Sequence, residues 1–181
     1  MKILTFAGSL RKDSLNKKVC HNVVNYIQQN RLAEIEFVDL KPLEIPMYDG
    51  DLETSKGIPE NVQKLCAKIR EVDALIISSP ENNGSITAVL KNTLDWISRE
   101  KTVSIAGKHI LLCAASPGAL GGIRGLWHTR VPFEALGCHV YPDMMGFSKA
   151  HEAFGSENQI LDDKKKARFE KMVQNFIQFA K

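Results

Sequence analysis

The residues best suited to hold a charged ligand sit close together near the start of the chain, in Gly8-Ser9-Leu10-Arg11-Lys12-Asp13-Ser14-Leu15-Asn16. Ser9, Ser14 and Asn16 are small hydrogen-bonding side chains. Arg11 adds a planar, permanently charged fork, and Gly8 lets the chain turn. Together they are equipment for gripping a phosphate. Two familiar anion sites are excluded: the stretch is neither Gly-x-Gly-x-x-Gly nor Gly-x-x-x-x-Gly-Lys-Ser/Thr. Ser14 would also serve as a plain helix N-cap. The argument for a phosphate is Arg11 standing between two serines.

The flanking elements place this turn. Lys2 to Ala7 is an apolar run of strand length, and Leu15, Val19, Val23 and Ile27 mark one face of a helix behind it. The turn therefore joins the carboxyl end of a strand to a helix N-terminus, where unpartnered amides and the helix dipole favour an anion. Ile35 to Leu40 alternates as a second strand. Asp39 near its end reads as a polar strand terminus, because the glycines that would accompany a ribose-binding acid are missing. Residues 41–57, with Pro42, Pro46, Asp49 and Gly50, read as a long loop. A second helix opens at Ile58-Pro59-Glu60, with Val62, Leu65, Cys66 and Ile69 inward. Ala74 to Ser79 is a continuously apolar third strand, as expected in a parallel sheet covered on both faces.

Pro80 to Ser85 ends that strand, and Ile86 to Ser98 reads as the third helix. Its stripe of Ile86, Leu90, Leu94 and Ile97 is widened by Val89 and Trp96, so the helix is expected to pack on its own sheet and on a second subunit. His109 to Ala115 is a fourth strand, followed by Ser116-Pro117-Gly118-Ala119-Leu120-Gly121-Gly122 and a helix to about Leu136. Cys138 to Tyr141 is a short fifth strand, residues 142–160 read as irregular, and Arg168 to Lys181 closes the chain as a helix. Five βα repeats predict a flavodoxin-like three-layer αβα sandwich with a five-stranded parallel sheet, order 2-1-3-4-5.

That topology gathers three loops at one sheet edge: residues 8–16, 80–85 and 116–122. The first suits a phosphate. The second offers Pro80, Glu81, Asn82, Asn83 and Gly84. The third offers Ser116, Pro117, Gly118, Gly121 and Gly122, whose missing side chains would let backbone approach a flat ligand. A phosphate grip with two backbone-lined walls fits flavin mononucleotide, FMN. Each loop also has a plainer reading: Asn83-Gly84 as an ordinary turn, and Glu81 as an acid answering a helix dipole.

Length and composition agree. The 181 residues form one expected domain, 1–181, with net charge +3, which suits a small anionic ligand. No arginine-rich stripe points to nucleic acid, and no run is long and apolar enough for a membrane span. Cys20, Cys66, Cys113 and Cys138 are scattered without a C-x-x-C, so buried free thiols in a reducing cytoplasm are expected. The five histidines have no metal-ligand spacing.

The matching stretches Gly8-Ser9-Leu10-Arg11 through Ser14 and Asn16, Pro80-Glu81-x-Asn83, Leu90 to Trp96, and Ser116-Pro117-Gly118 with Gly121-Gly122 make the chain resemble the NADPH-dependent FMN reductases of flavodoxin-like fold, which include chromate and quinone reductases. The resemblance implies phosphate binding by Ser9, Arg11, Ser14 and Asn16, with Leu15 beside them. It implies isoalloxazine contacts from Pro80 to Gly84 and from Ser116 to Gly122, and a homodimer or homotetramer. The family usually carries an aromatic residue where this chain has Asn82. The implied reaction is hydride transfer from NADPH or NADH through FMN to a small-molecule acceptor: a quinone, free flavin, azo compound or chromate. Two readings remain beside it, a flavodoxin-like one-electron carrier and a non-enzymatic flavin-binding regulator.

Overall fold

The computed structural model describes residues 1–181. Six strands form one parallel sheet: β1 (Lys2–Ala7), β2 (Glu34–Val38), β3 (Ala74–Ser78), β4 (His109–Ala115), β5 (His139–Val140) and β6 (Met145–Phe147). Their order is β2-β1-β3-β4-β5, with β6 also pairing β4. β5 lies against the start of β4 and β6 against its end, so the two are halves of one edge. Pro142 falls between them and cannot donate to a ladder. The order matches the expected 2-1-3-4-5; the sixth strand falls in chain that reads as irregular, because three residues of Met-Gly-Phe are too few to show an alternation.

The helices are α1 (Leu15–Gln29), α2 (Gly50–Lys56), α3 (Glu60–Arg70), α4 (Ala88–Ile97), α5 (Ile123–Ala135), α6 (Ala150–Ala153) and α7 (Asp163–Phe179). The period-2 alternation of the strands divides the core in two. Leu4, Phe6, Leu75, Ile77, Ile110 and Leu112 face α3, α4 and α5. Ile3, Ile76, Leu111 and Cys113 face α1 and α7. Both faces of β3 are buried along its whole length, which is why its sequence is continuously apolar.

Three of the boundaries that differ from the sequence reading do so because of a cap. Asp49, read as a breaker, accepts from the Asp51 and Leu52 amides and starts α2 inside the supposed loop. Thr87 caps α4 and delays its start to Ala88. Asp162 accepts from the Lys165 amide and starts α7 five residues before Arg168.

The wide stripe of α4 has an internal explanation. Trp96 is fully buried, its indole N–H donates to the Pro46 carbonyl at 2.8 Å, and Tyr48 meets its ring edge-on at 5.0 Å. Asn92 accepts from the Tyr48 amide at 2.7 Å and donates to the Pro46 carbonyl at 2.8 Å. The 44–48 segment of the same chain thus covers Trp96 and Asn92, while Ile86 and Val89 of the stripe stay half-buried. No helix is long and apolar enough to cross a membrane.

Candidate functional site

The three loops converge as the topology requires. The Gly8 amide donates to the Ser78 carbonyl, Ser79 to Cys113, and Ser116 to Phe147, at 2.8–3.0 Å, so each loop is pinned to the neighbouring strand where it leaves the sheet. Between them lies a cavity of about 430 Å³. Gly8 to Arg11 and Ser14 to Asn16 form one wall; Pro80, Glu81 and Asn82 form a second; Ala115, Ser116 and Pro117 form a third.

A fourth wall, Thr87, Ala88 and Val89 at the start of α4, was not among the expected site residues. The Thr87 hydroxyl donates to the Gly8 carbonyl at 2.9 Å and accepts from the Leu90 amide at 3.2 Å, locking the first turn to α4. A side chain on Gly8 would come within 3.0 Å of Leu90 Cβ and 3.1 Å of Thr87 Oγ1, so glycine is what permits this approach. The signal available in the sequence was a threonine directly before an apolar helical run.

The turn of residues 8–16 has unspent donors. Lys18 N–H to Ser14 C=O, at 3.1 Å, is the first bond of α1, so the amides of residues 15–17 have no intrahelical partner. Ser14 occupies the N-cap position, only 5% exposed, yet its hydroxyl makes no cap bond. Arg11 is exposed and forms no ion pair. Ser9 Oγ accepts only a long contact, 3.4 Å, from the Arg11 amide. A cap residue that leaves its helix uncapped, beside an unpaired guanidinium, fits a phosphate monoester.

Asn16 differs from the expectation. It is 3% exposed, donates to the Ala115 carbonyl at 2.9 Å, and accepts from the Ala115 amide and the Ser78 hydroxyl, each at 2.9 Å. Its side chain fastens α1 to β3 and β4 and has little capacity left for a phosphate. Glu81 is also spent. Its carboxylate takes the Arg124 Nε at 3.0 Å and the Gly125 amide at 3.1 Å, with 9% of the side chain exposed. Burial alone would raise its pKa; the Gly125 and Arg124 hydrogen bonds outweigh that and hold it below the ordinary value. Glu81 therefore answers a helix dipole, that of α5 rather than of the helix following it in sequence.

Asn83, Gly84, Gly118, Gly121 and Gly122 do not line the cavity. Asn83 and Gly84 have φ of 51° and 76° between Asn82 and Ser85, whose backbones exchange both hydrogen bonds, a two-residue hairpin turn. At Gly121 a Cβ would lie 2.7 Å from the Gly146 carbonyl carbon, and at Gly122 2.8 Å from Ala114 Cβ. These two glycines serve close packing on β4 and β6, where the sequence suggested approach to a flat ligand.

A doubly covered parallel sheet with a phosphate-suited cavity at the carboxyl ends of β1, β3 and β4 defines a flavodoxin-like nucleotide-binding protein. Residues 1–152 match the family model of NADPH-dependent FMN reductase. The chain is 32% identical to an NAD(P)H-dependent FMN reductase of Pseudomonas aeruginosa over 176 residues, covering 96% of this chain and 92% of that protein. It is 34% identical to a quinone reductase of Escherichia coli over 168 residues, covering 90% and 86%. Among solved structures it is similar to FerB, a flavoenzyme NAD(P)H:(acceptor) oxidoreductase from Paracoccus denitrificans, with a TM-score of 0.82, 26% identity, and coverage of 99% and 96%. The chain belongs to the NADPH-dependent FMN reductase family, enzymes that use FMN and NAD(P)H.

Proposed function

We propose that this protein, folded as one domain, is an NAD(P)H-dependent reductase that works through FMN held in the 430 Å³ cavity, with a quinone as its acceptor and donor and acceptor taken in ping-pong order. Free flavins, azo compounds and chromate are further acceptors to assay. Bound FMN would supply hydride acceptance and onward electron transfer. The residues do the holding. Arg11, Ser9, Ser14 and the free amides of residues 15–17 would bind the phosphate. Pro80 to Asn82 and Ala115 to Pro117 would flank the ring, with backbone amides of the third loop facing charge gained on reduction. Glu81 positions these walls by tying the second loop to α5. The proposal places the reaction in the cytoplasm, consistent with four buried free thiols.

The observation that carries the reading is Ser14, an N-cap hydroxyl left open to the cavity beside the unpaired Arg11. Arg11→Ala should weaken FMN by about 2–5 kcal/mol while changing riboflavin much less. Equal losses for both would remove Arg11 from the phosphate site. Parallel double-reciprocal plots with NADPH and benzoquinone are expected; intersecting lines would refute the ping-pong order. A protein that binds FMN tightly but is not reduced by NADPH or NADH would be a carrier or regulator instead.

We also infer a homodimer or homotetramer, now through α5, where Trp127 (57% exposed) and Val131 (65%) lie one helical turn apart on an open face. A monomer mass by light scattering with FMN bound would refute it.

A further inference from the structure

Ser14 also borders a second cavity, of about 250 Å³, that shares no other lining residue with the first. Its other linings come from the turn, α1, and the end of β2, with Asn158 opposite. Four lysines face two aspartates there: Lys12, Lys17, Lys18 and Lys41 against Asp13 and Asp39. Lys17 and Asp39 neutralise each other at 2.8 Å, with Lys17 8% exposed. Lys12, Lys18 and Lys41 pair with no carboxylate. The cavity therefore keeps a surplus of ammonium charge directly beside the phosphate turn. It also has an aromatic ledge, His21 tilted on Phe37 with centroids 4.6 Å apart.

Cationic side chains next to an aromatic ledge suit an adenosine phosphate. We propose that this cavity is an adenylate subsite and that the protein binds FAD as well as FMN. The proposal rests on the flavin reading of the first cavity. FAD differs from FMN by an adenylate joined to the flavin phosphate through one bridging oxygen. A phosphate held at Ser14, the wall common to both cavities, delivers the next phosphate into the lysine cluster and the purine toward His21 and Phe37. The 2′-phosphate and adenine of NADPH have the same chemistry but no covalent link to the group at the turn, so FAD is the occupant whose connectivity suits the cavity.

The test uses flavin-stripped protein titrated with FMN and FAD by fluorescence, for wild type and for the Lys18→Glu, Lys41→Glu double variant, with Lys18→Gln, Lys41→Gln as a milder second. Wild type should bind FAD within about threefold of FMN. The glutamate variant should lose about tenfold or more in FAD affinity and less than threefold in FMN, the FAD loss shrinking as salt is added. The glutamine variant should fall between. Rejection of FAD by a wild type that binds FMN would overturn the proposal, as would equal losses of both flavins in the variants. A raised KM for NADPH but not NADH, with FAD affinity unmoved, would assign the cavity to the nicotinamide donor and overturn it too. If wild type binds neither flavin, the reading of the first cavity fails and this one with it.

Discussion

Replacing Asn16 by Ala should damage folding before it damages flavin binding. The side chain makes three buried hydrogen bonds, to the carbonyl and amide of Ala115 and to the Ser78 hydroxyl. At about 1 kcal/mol net each they set a floor near 3 kcal/mol, and leaving three buried polar groups unpartnered pushes the loss toward about 5. For a chain of 181 residues that corresponds to a fall of roughly 6–20 °C in melting midpoint. Asn16→Asp keeps acceptors for the Ala115 amide and the Ser78 hydroxyl but sets a carboxylate against the Ala115 carbonyl, so it should not restore stability fully. The assay is urea unfolding of the flavin-free variants, followed by FMN and riboflavin titrations well below the midpoint. The reasoning is refuted if flavin-free Asn16→Ala unfolds within about 0.5 kcal/mol of wild type while FMN affinity alone collapses. That outcome would mean that the amide faces the phosphate.

Glu81→Gln should cost about 1–2 kcal/mol at pH 7, a charge-assisted value discounted because Arg124 is half exposed. Because the folded pKa of Glu81 lies below its ordinary 4.5, its contribution is complete above that pH and is lost as pH falls through the folded value; a gap between variant and wild type that does not narrow in acid would refute the assignment. Burial lifts the thiols of Cys20, Cys66 and Cys138 to about 12 and raises that of Cys113 as well. Ellman's reagent at pH 8 should therefore label the native protein negligibly and all four thiols in urea; rapid labelling of the folded state would contradict the burial. Asn82→Tyr should lower the KM for NADPH or quinone several-fold, the effect of about 0.5–1.5 kcal/mol of added planar contact at the cavity wall, with kcat and FMN affinity nearly unchanged. Identical constants would mean that position 82 touches neither substrate.

The fold was legible because its signals are local. The long strands announce themselves by an apolar run or, in β2, by alternation, and the succession of β and α patterns leaves few topologies open. What escaped was also local but weak. Three residues of β6 have no pattern of their own and are fixed by pairing with Cys113 to Ala115. The seven-residue α2 depends on the Asp49 cap more than on any apolar stripe. For α4 the stripe was legible and the segment that covers Trp96 was not. A sequence shows that Trp96 needs cover, but not that the cover comes from residues about 50 positions earlier in the same chain.

The site was legible in a different sense: its position followed from topology, while the roles within it did not. Asn16 and Glu81 look like ligand-binding residues because they are polar and fall in the loops at the sheet edge. In the structure their polar atoms are already bonded to protein, Asn16 to residues 62 and 99 positions away, Glu81 to one 43 away. Ser14 and Arg11 differ by having no such partners. A side chain whose hydrogen-bonding capacity is consumed in the folded chain can place a ligand only through what it holds still, whereas one left unsatisfied at a cavity wall needs water or a ligand to complete it. The same signature residues therefore split into braces and binders, and the division is made by bonds to chain segments too distant for any local pattern to reveal. Stability should separate the two groups in the flavin-free protein, since truncating a brace weakens the fold and truncating a binder does not.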